Sequence, residues 1–140
     1  MANSFKPGFG YSAAGVGAGT PIAPVVKHYQ VTIDTAAELT LEANMNGYLI
    51  PAGGAAITGD MGGTSPTAKL TFGGTDLMSA ADPGTGVLES TTSAGVPVGT
   101  AAASSTVTIT AGGTSPTGTL GVTVTYIPLC AAAKTAGVGV

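Results

Sequence analysis

Few side chains in this 140-residue chain can do covalent or metal chemistry, and their spacing keeps them apart. His28 is the single histidine, so a zinc site would have to recruit Cys130 and carboxylates from scattered positions. On an alternating strand His28 lies with Gln30 and Thr32, facing solvent or a partner. Cys130 is the single cysteine, which excludes an internal disulfide. A thiol nucleophile needs a base, and nothing in the sequence links Cys130 to His28, so it reads as a small apolar filler or an inert thiol.

The acids are Asp34, Glu38, Glu42, Asp60, Asp76, Asp82 and Glu89. Glu38 and Glu42 share one face whether their segment is helix or strand, which describes a solvated edge better than a general acid and base. Asp60, Asp76 and Asp82 sit in glycine-rich turns that could take calcium, but no EF-hand or nonapeptide spacing is present. Gly15-Val-Gly-Ala-Gly19 lacks the lysine and the preceding strand of a phosphate loop. There is no G-x-S-x-G elbow and no N-x-S/T sequon. We therefore expect no catalytic residue, no metal ligand, no cofactor and no enzymatic activity.

Charge narrows the partners. Only 8% of residues are charged, against about 25% in an ordinary soluble domain, and the net charge is −3. The four positive residues are Lys6, Lys27, Lys69 and Lys134, with no arginine among them. Scattered lysines without arginine make no footprint for nucleic acid or an anionic membrane. No run approaches the ~20 apolar residues of a membrane helix, despite a mean hydropathy of +0.42. A surface poor in charge but rich in Thr, Ser and Gly can be pressed against a neighbour with little charge desolvation. That composition favours a subunit of an assembly.

The elements that would position these residues are strands. Three regions separate by composition: a Gly/Pro-rich extended arm over 1–24, a β domain over 25–129 and a short tail over 130–140. Within the domain Tyr29, Val31 and Ile33 alternate with His28, Gln30 and Thr32, and Ala68, Leu70 and Phe72 with Thr67, Lys69 and Thr71. Val107 and Ile109 alternate with threonines, and Leu120, Val122, Val124 and Tyr126 with Thr119, Gly121, Thr123 and Thr125. Shorter strand candidates are 47–51, 55–60, 75–79 and 86–90, and 80–104 otherwise reads as loop and a contact surface. One apolar and one threonine face is the signature of an antiparallel sheet with one side on a core. The predicted fold is all-β, an antiparallel β-sandwich or jelly-roll-like barrel with an extended N-terminal arm.

Two segments carry specific expectations. Over 34–46 a capping box (Thr35 to Glu38) and the helical spacing of Ala37, Leu41 and Met45 compete with a strand that puts Leu39 and Leu41 inside. The strand is favoured because its neighbours are strands. Gly62-Gly-Thr-Ser-Pro-Thr67 recurs as Gly112-Gly-Thr-Ser-Pro-Thr117, an offset of 50. Glycine and proline suit turns, so each copy is predicted to connect two strands of a hairpin.

Phe5, Phe9 and Tyr11 are large rings in an otherwise featureless arm. They are expected to be partner contacts that insert into neighbouring subunits, because a glycine-rich strap gains too little by ordering without a host surface.

The start Met1-Ala-Asn-Ser-Phe-Lys-Pro-Gly-Phe-Gly, the segment Gly47-Tyr-Leu-Ile-Pro-Ala-Gly-Gly54 and the close Gly118-Thr-Leu-Gly-Val-Thr-Val-Thr-Tyr-Ile-Pro128 resemble the small decoration (cement) proteins of tailed-bacteriophage heads. The resemblance covers arm and core loosely and transfers no individual site residue. It implies a structural virion protein that binds the outer surface of the phage head and stabilises the shell. The implied partners are the major capsid protein and neighbouring copies, as a homotrimer. The start lacks the apolar run of a signal peptide, so synthesis in the host cytoplasm is expected. The competing expectation is a receptor- or carbohydrate-binding β-sandwich of a tail or fibre. The absence of tryptophan disfavours it, since sugars stack on open aromatic rings.

Overall fold

A computed structural model of the chain describes residues 23–84, 86–95 and 105–129. The predicted arm, with Phe5, Phe9 and Tyr11, and Cys130 in the tail lie outside the described residues. The described residues contain no helix and form nine strands: β1 (Val25–Ile33), β2 (Ala37–Glu42), β3 (Tyr48–Ile50), β4 (Ala55–Thr58), β5 (Met61–Phe72), β6 (Thr75–Asp76), β7 (Val87–Glu89), β8 (Ala94–Gly95) and β9 (Val107–Pro128). Within the contested 34–46 segment Ala37–Glu42 is strand, as favoured, and no helix forms. Of its two leucines, Leu41 packs on the core while Leu39 stays 38% exposed at the edge of the sheet.

All pairing is antiparallel, and its register reduces the nine strands to four long runs. The 22-residue β9 is the axis. On one side lie β1 (Val25 opposite Tyr126, Ile33 opposite Gly118) and then β2 (Ala37 opposite Ala111). On the other lie β3, β4 and β5, from Tyr48 opposite Pro128 to Phe72 opposite Val107. The fourth run, β6 through β7 to β8, returns along β5, β4 and β3.

The Gly-Gly-Thr-Ser-Pro-Thr repeats correct the sequence reading. They are not hairpin turns. Each lies inside a long strand, and the two copies pair with one another: Gly62 faces Thr117, Thr64 faces Thr114 and Thr67 faces Gly112. Pairing of a motif with its own antiparallel repeat produces a local pseudo-two-fold. Corresponding residues adopt corresponding backbone: Ser65 and Ser115 both have φ 51°, and Gly63 and Gly113 have φ 109° and 104°. Register shifts on either side of Thr64 mark these segments as bulges, which sharpen bend and twist.

The bulges also switch which alternate residues face inward. Before the crease β9 buries Val107, Ile109 and Ala111; after it, Leu120, Val122, Val124 and Tyr126. The partner run switches likewise, from Ala55 and Ile57 to Ala68, Leu70 and Phe72. The other two runs break at the same level, one between Ile33 and Ala37, the other between Ala81, which bridges Ala68, and Val87, which faces Thr58. The sheet thereby wraps into a nearly closed, barrel-like fold around one core. In the fourth run, Thr91 and Thr92 donate their backbone N–H groups to the Leu77 carbonyl at 2.9 and 3.1 Å, tying its two halves together.

Candidate functional site

The most chemically dense place in the described structure is the seam between β1 and β2. Its geometry starts with a bulge in β2. Thr40 faces Thr108, but Glu42 rather than Leu41 faces Val107, so one residue is extra. A one-residue slip turns the following side chain to the opposite face. Glu38 therefore stays outside, 3.4 Å from the Thr108 hydroxyl, while Glu42 swings toward β1. Glu38 and Glu42 do not share a face, which overturns their reading as one solvated edge.

Glu42 collects two partners and, through one of them, a third group. Lys27 Nζ donates to its Oε2 at 2.9 Å, and the Tyr29 hydroxyl donates to the same oxygen at 3.1 Å. With its one hydrogen so used, Tyr29 accepts from the Tyr126 hydroxyl at 2.9 Å. The Tyr48 ring meets Tyr126 edge-on, with centroids 6.2 Å apart at 85°. This places Tyr29 and Tyr48 half-buried against a fully buried Tyr126.

The electrostatics follow from burial. Removal from water pushes the Tyr126 phenol far above the ordinary tyrosine range, and its bond to Tyr29 adds to the shift. Burial also raises Tyr29, opposed by its bond to Tyr126 and aided by Glu42. The hydrogen bond to Glu42, then its charge, hold Lys27 above its usual value. At neutral pH both phenols are therefore protonated and Lys27 is charged. Phenols held so firmly neutral are poor bases and poor nucleophiles. The cluster works as a clasp that closes the β1–β2 seam through side chains.

The outer face carries the threonines. Register sets Thr40, Thr108 and Thr71 in one row, and Glu38, Thr110 and Lys69 in the next. Lys69 pairs with Asp76 at 2.8 Å, and Thr71 donates to the same carboxylate at 3.1 Å, holding Asp76 below the usual carboxylate range. On the other half His28 is exposed, with Nδ1 3.0 Å from the Thr123 hydroxyl. The alternation had placed His28 outward, toward solvent or a partner, and that is where it lies.

Asp60, Asp76 and Asp82 are not brought together. Asp76 belongs to Lys69, and Asp82 accepts the Gly84 N–H at 2.9 Å. Asp60 lines a shallow open depression of about 420 Å³ with Thr58, Gly59, Gly84, Gly86 and Val87. Among the described residues no three His, Cys, Asp or Glu side chains gather as metal ligands. Among them, too, no helix is long and apolar enough to cross a membrane.

Exposed apolar side chains gather along one run. Val25 and Val26 are 45% and 53% exposed at the start of β1, and Leu39 lies on β2; Val87 is exposed elsewhere. Sequence reading did not bring Lys27, Tyr29, Glu42 and Tyr126 together. The outlying signal was Tyr126, a polar-tipped ring ending an apolar alternation, which implies a buried hydroxyl needing a partner. Set beside known proteins, the chain matches no family model and no curated protein.

Proposed function

We propose that this chain is a non-enzymatic structural protein that decorates the outer surface of a tailed-phage head and stabilises the shell. The observation that carries the reading is the character of its outer surface. The sheet turns rows of threonine outward, and its exposed Val25, Val26 and Leu39 lie along one run, β1–β2. A surface of hydroxyls and isolated apolar side chains loses little on desolvation and gains roughly 25 cal/mol per Å² of apolar area covered. The resemblance of the arm and of the closing strand to head decoration proteins supplies the host. The partners are the major capsid protein and neighbouring copies in a homotrimer, with Phe5, Phe9 and Tyr11 as anchors and the virion surface as location. Several weak straps held at once would retain each copy firmly.

Co-sedimentation with DNA-free expanded heads tests the reading. Full-length protein is expected to pellet with the heads, and protein lacking residues 1–24 to pellet less. Heads that capture none of it would overturn the function, whereas capture unchanged by the deletion would overturn the strap. The sugar-binding alternative finds no support in the described tyrosines, because Tyr126 is buried and Tyr29 and Tyr48 pack against the core.

A further inference from the structure

Among the described residues, no strand pairs with the outer edge of β1, a long row of backbone hydrogen-bonding groups. Among the described residues β1 pairs with β9 alone, in unbroken register from Val25 to Ile33. Edge strands are ordinarily guarded by charges, prolines, bulges or a covering segment. Across its nine residues β1 has no proline and no bulge. Its one lysine, Lys27, is drawn to Glu42 rather than standing over the edge. Val25 and Val26 add exposed apolar surface at the strand's start.

We propose that this edge is completed by strand addition from a second copy, with residues 5–11 of the neighbour's leading segment hydrogen-bonded along β1. The inference rests on the reading that copies sit side by side in an assembly. The side-by-side reading favours the neighbour, and the tightest return onto the same molecule is barred. Immediate reversal onto its own β1 would place Ala23 and Pro24 at the centre of a two-residue hairpin, which needs positive φ at the first or both positions. Alanine disfavours that conformation and proline cannot adopt it. The 22 residues before Ala23 can span roughly 70 Å when extended, more than twice the roughly 30 Å of a nine-residue strand.

The leading segment also has a suitable pattern. Phe5, Pro7, Phe9 and Tyr11 fall on one alternation, and Lys6, Gly8 and Gly10 on the other. If Lys6, Gly8 and Gly10 turn their backbone groups to β1, the missing N–H of Pro7 faces away, where an edge strand tolerates it. All three rings then lie on one side of the added strand and can cover the apolar start of β1.

Hydrogen–deuterium exchange on the full-length chain over a concentration series, with native mass spectrometry, tests this. Amides of 25–33 and 5–11 are expected to slow together, by about tenfold or more, as oligomers form. Excess synthetic peptide of residues 1–22 should dissociate the oligomer while keeping β1 slow. The triple variant Phe5→Ser/Phe9→Ser/Tyr11→Ser should lose both oligomer and β1 protection, with exchange in 107–111 unchanged as the check on folding. The proposal is overturned if β1 amides exchange at one rate at every concentration. It is equally overturned if their slowing survives the triple variant, as in a dimer joined β1 to β1. Failure of the head-decoration reading would look different: β1 protected in the oligomer, but no capture by emptied heads.

Discussion

At the scale of single residues, two glycines and two tyrosines decide most. A Cβ on Gly113 would sit 2.6 Å from the Ser65 carbonyl oxygen and 2.9 Å from Pro66 Cα, at φ 104°. Gly74, at φ 86°, has open space around it. Gly113→Ala is therefore expected to cost about 3 kcal/mol, from backbone strain plus overlap with fixed backbone, and Gly74→Ala about 1 kcal/mol from strain alone. Urea unfolding of the two variants checks the contrast, and equal costs would mean the repeats are not in close backbone contact. The phenols give a pH dependence. Tyr29 and Tyr126 have folded-state values raised above the ordinary value near 10. The folded state then holds protons that the unfolded state releases, so their stabilisation is complete below about pH 10 and is lost as pH climbs further. Thermal melts between neutral pH and pH 11 should show this decline, and Tyr126→Phe should flatten it while costing about 1–2 kcal/mol at pH 7.

Elements were legible where alternation is local. Leu120, Val122, Val124 and Tyr126 against Thr119, Thr123 and Thr125 read as a half-buried strand, and the structure buries all four of the former. The repeats were misread because glycine, a positive-φ serine and proline serve a turn and a crease equally well, and both explain the switch in inward parity. Which one forms depends on the partner facing the segment, and each copy faces its own repeat 50 positions away. Engineered cysteines expose the difference. With Cys130 replaced by Ser, Thr64→Cys/Thr114→Cys is expected to oxidise to a disulfide, because these residues are direct cross-strand partners. The closed loop is long, so the bridge should stabilise by about 2–4 kcal/mol, measured as a shift in urea midpoint with and without reductant. Separate hairpin turns would give no such bridge.

For the whole molecule, β9 is the organising feature, since β1, β2, β3, β4 and β5 all pair with it. Val25 pairs with Tyr126, at nearly the two ends of the described chain. Contacts this distant in sequence must form before they stabilise anything, so refolding is expected on the slow, millisecond-to-second scale of non-local β proteins. Stopped-flow fluorescence of the tyrosines checks the rate, and microsecond refolding would contradict this topology. Leu120→Ala, which empties a fully buried site in β9, should cost about 2–5 kcal/mol.

The chain's own chemistry determined the all-β class, the inward residues of the long alternating strands and the poverty of charge, because period-2 alternation and composition act within a few residues. Only the tertiary structure decided that the repeats pair with each other, that a bulge at Leu41 turns Glu42 away from Glu38, and that Lys27 and Tyr29 meet it at one seam, with Tyr126 bonded behind Tyr29. Those outcomes depend on register between strands far apart in sequence, and a one-residue change in register reverses which face a side chain occupies.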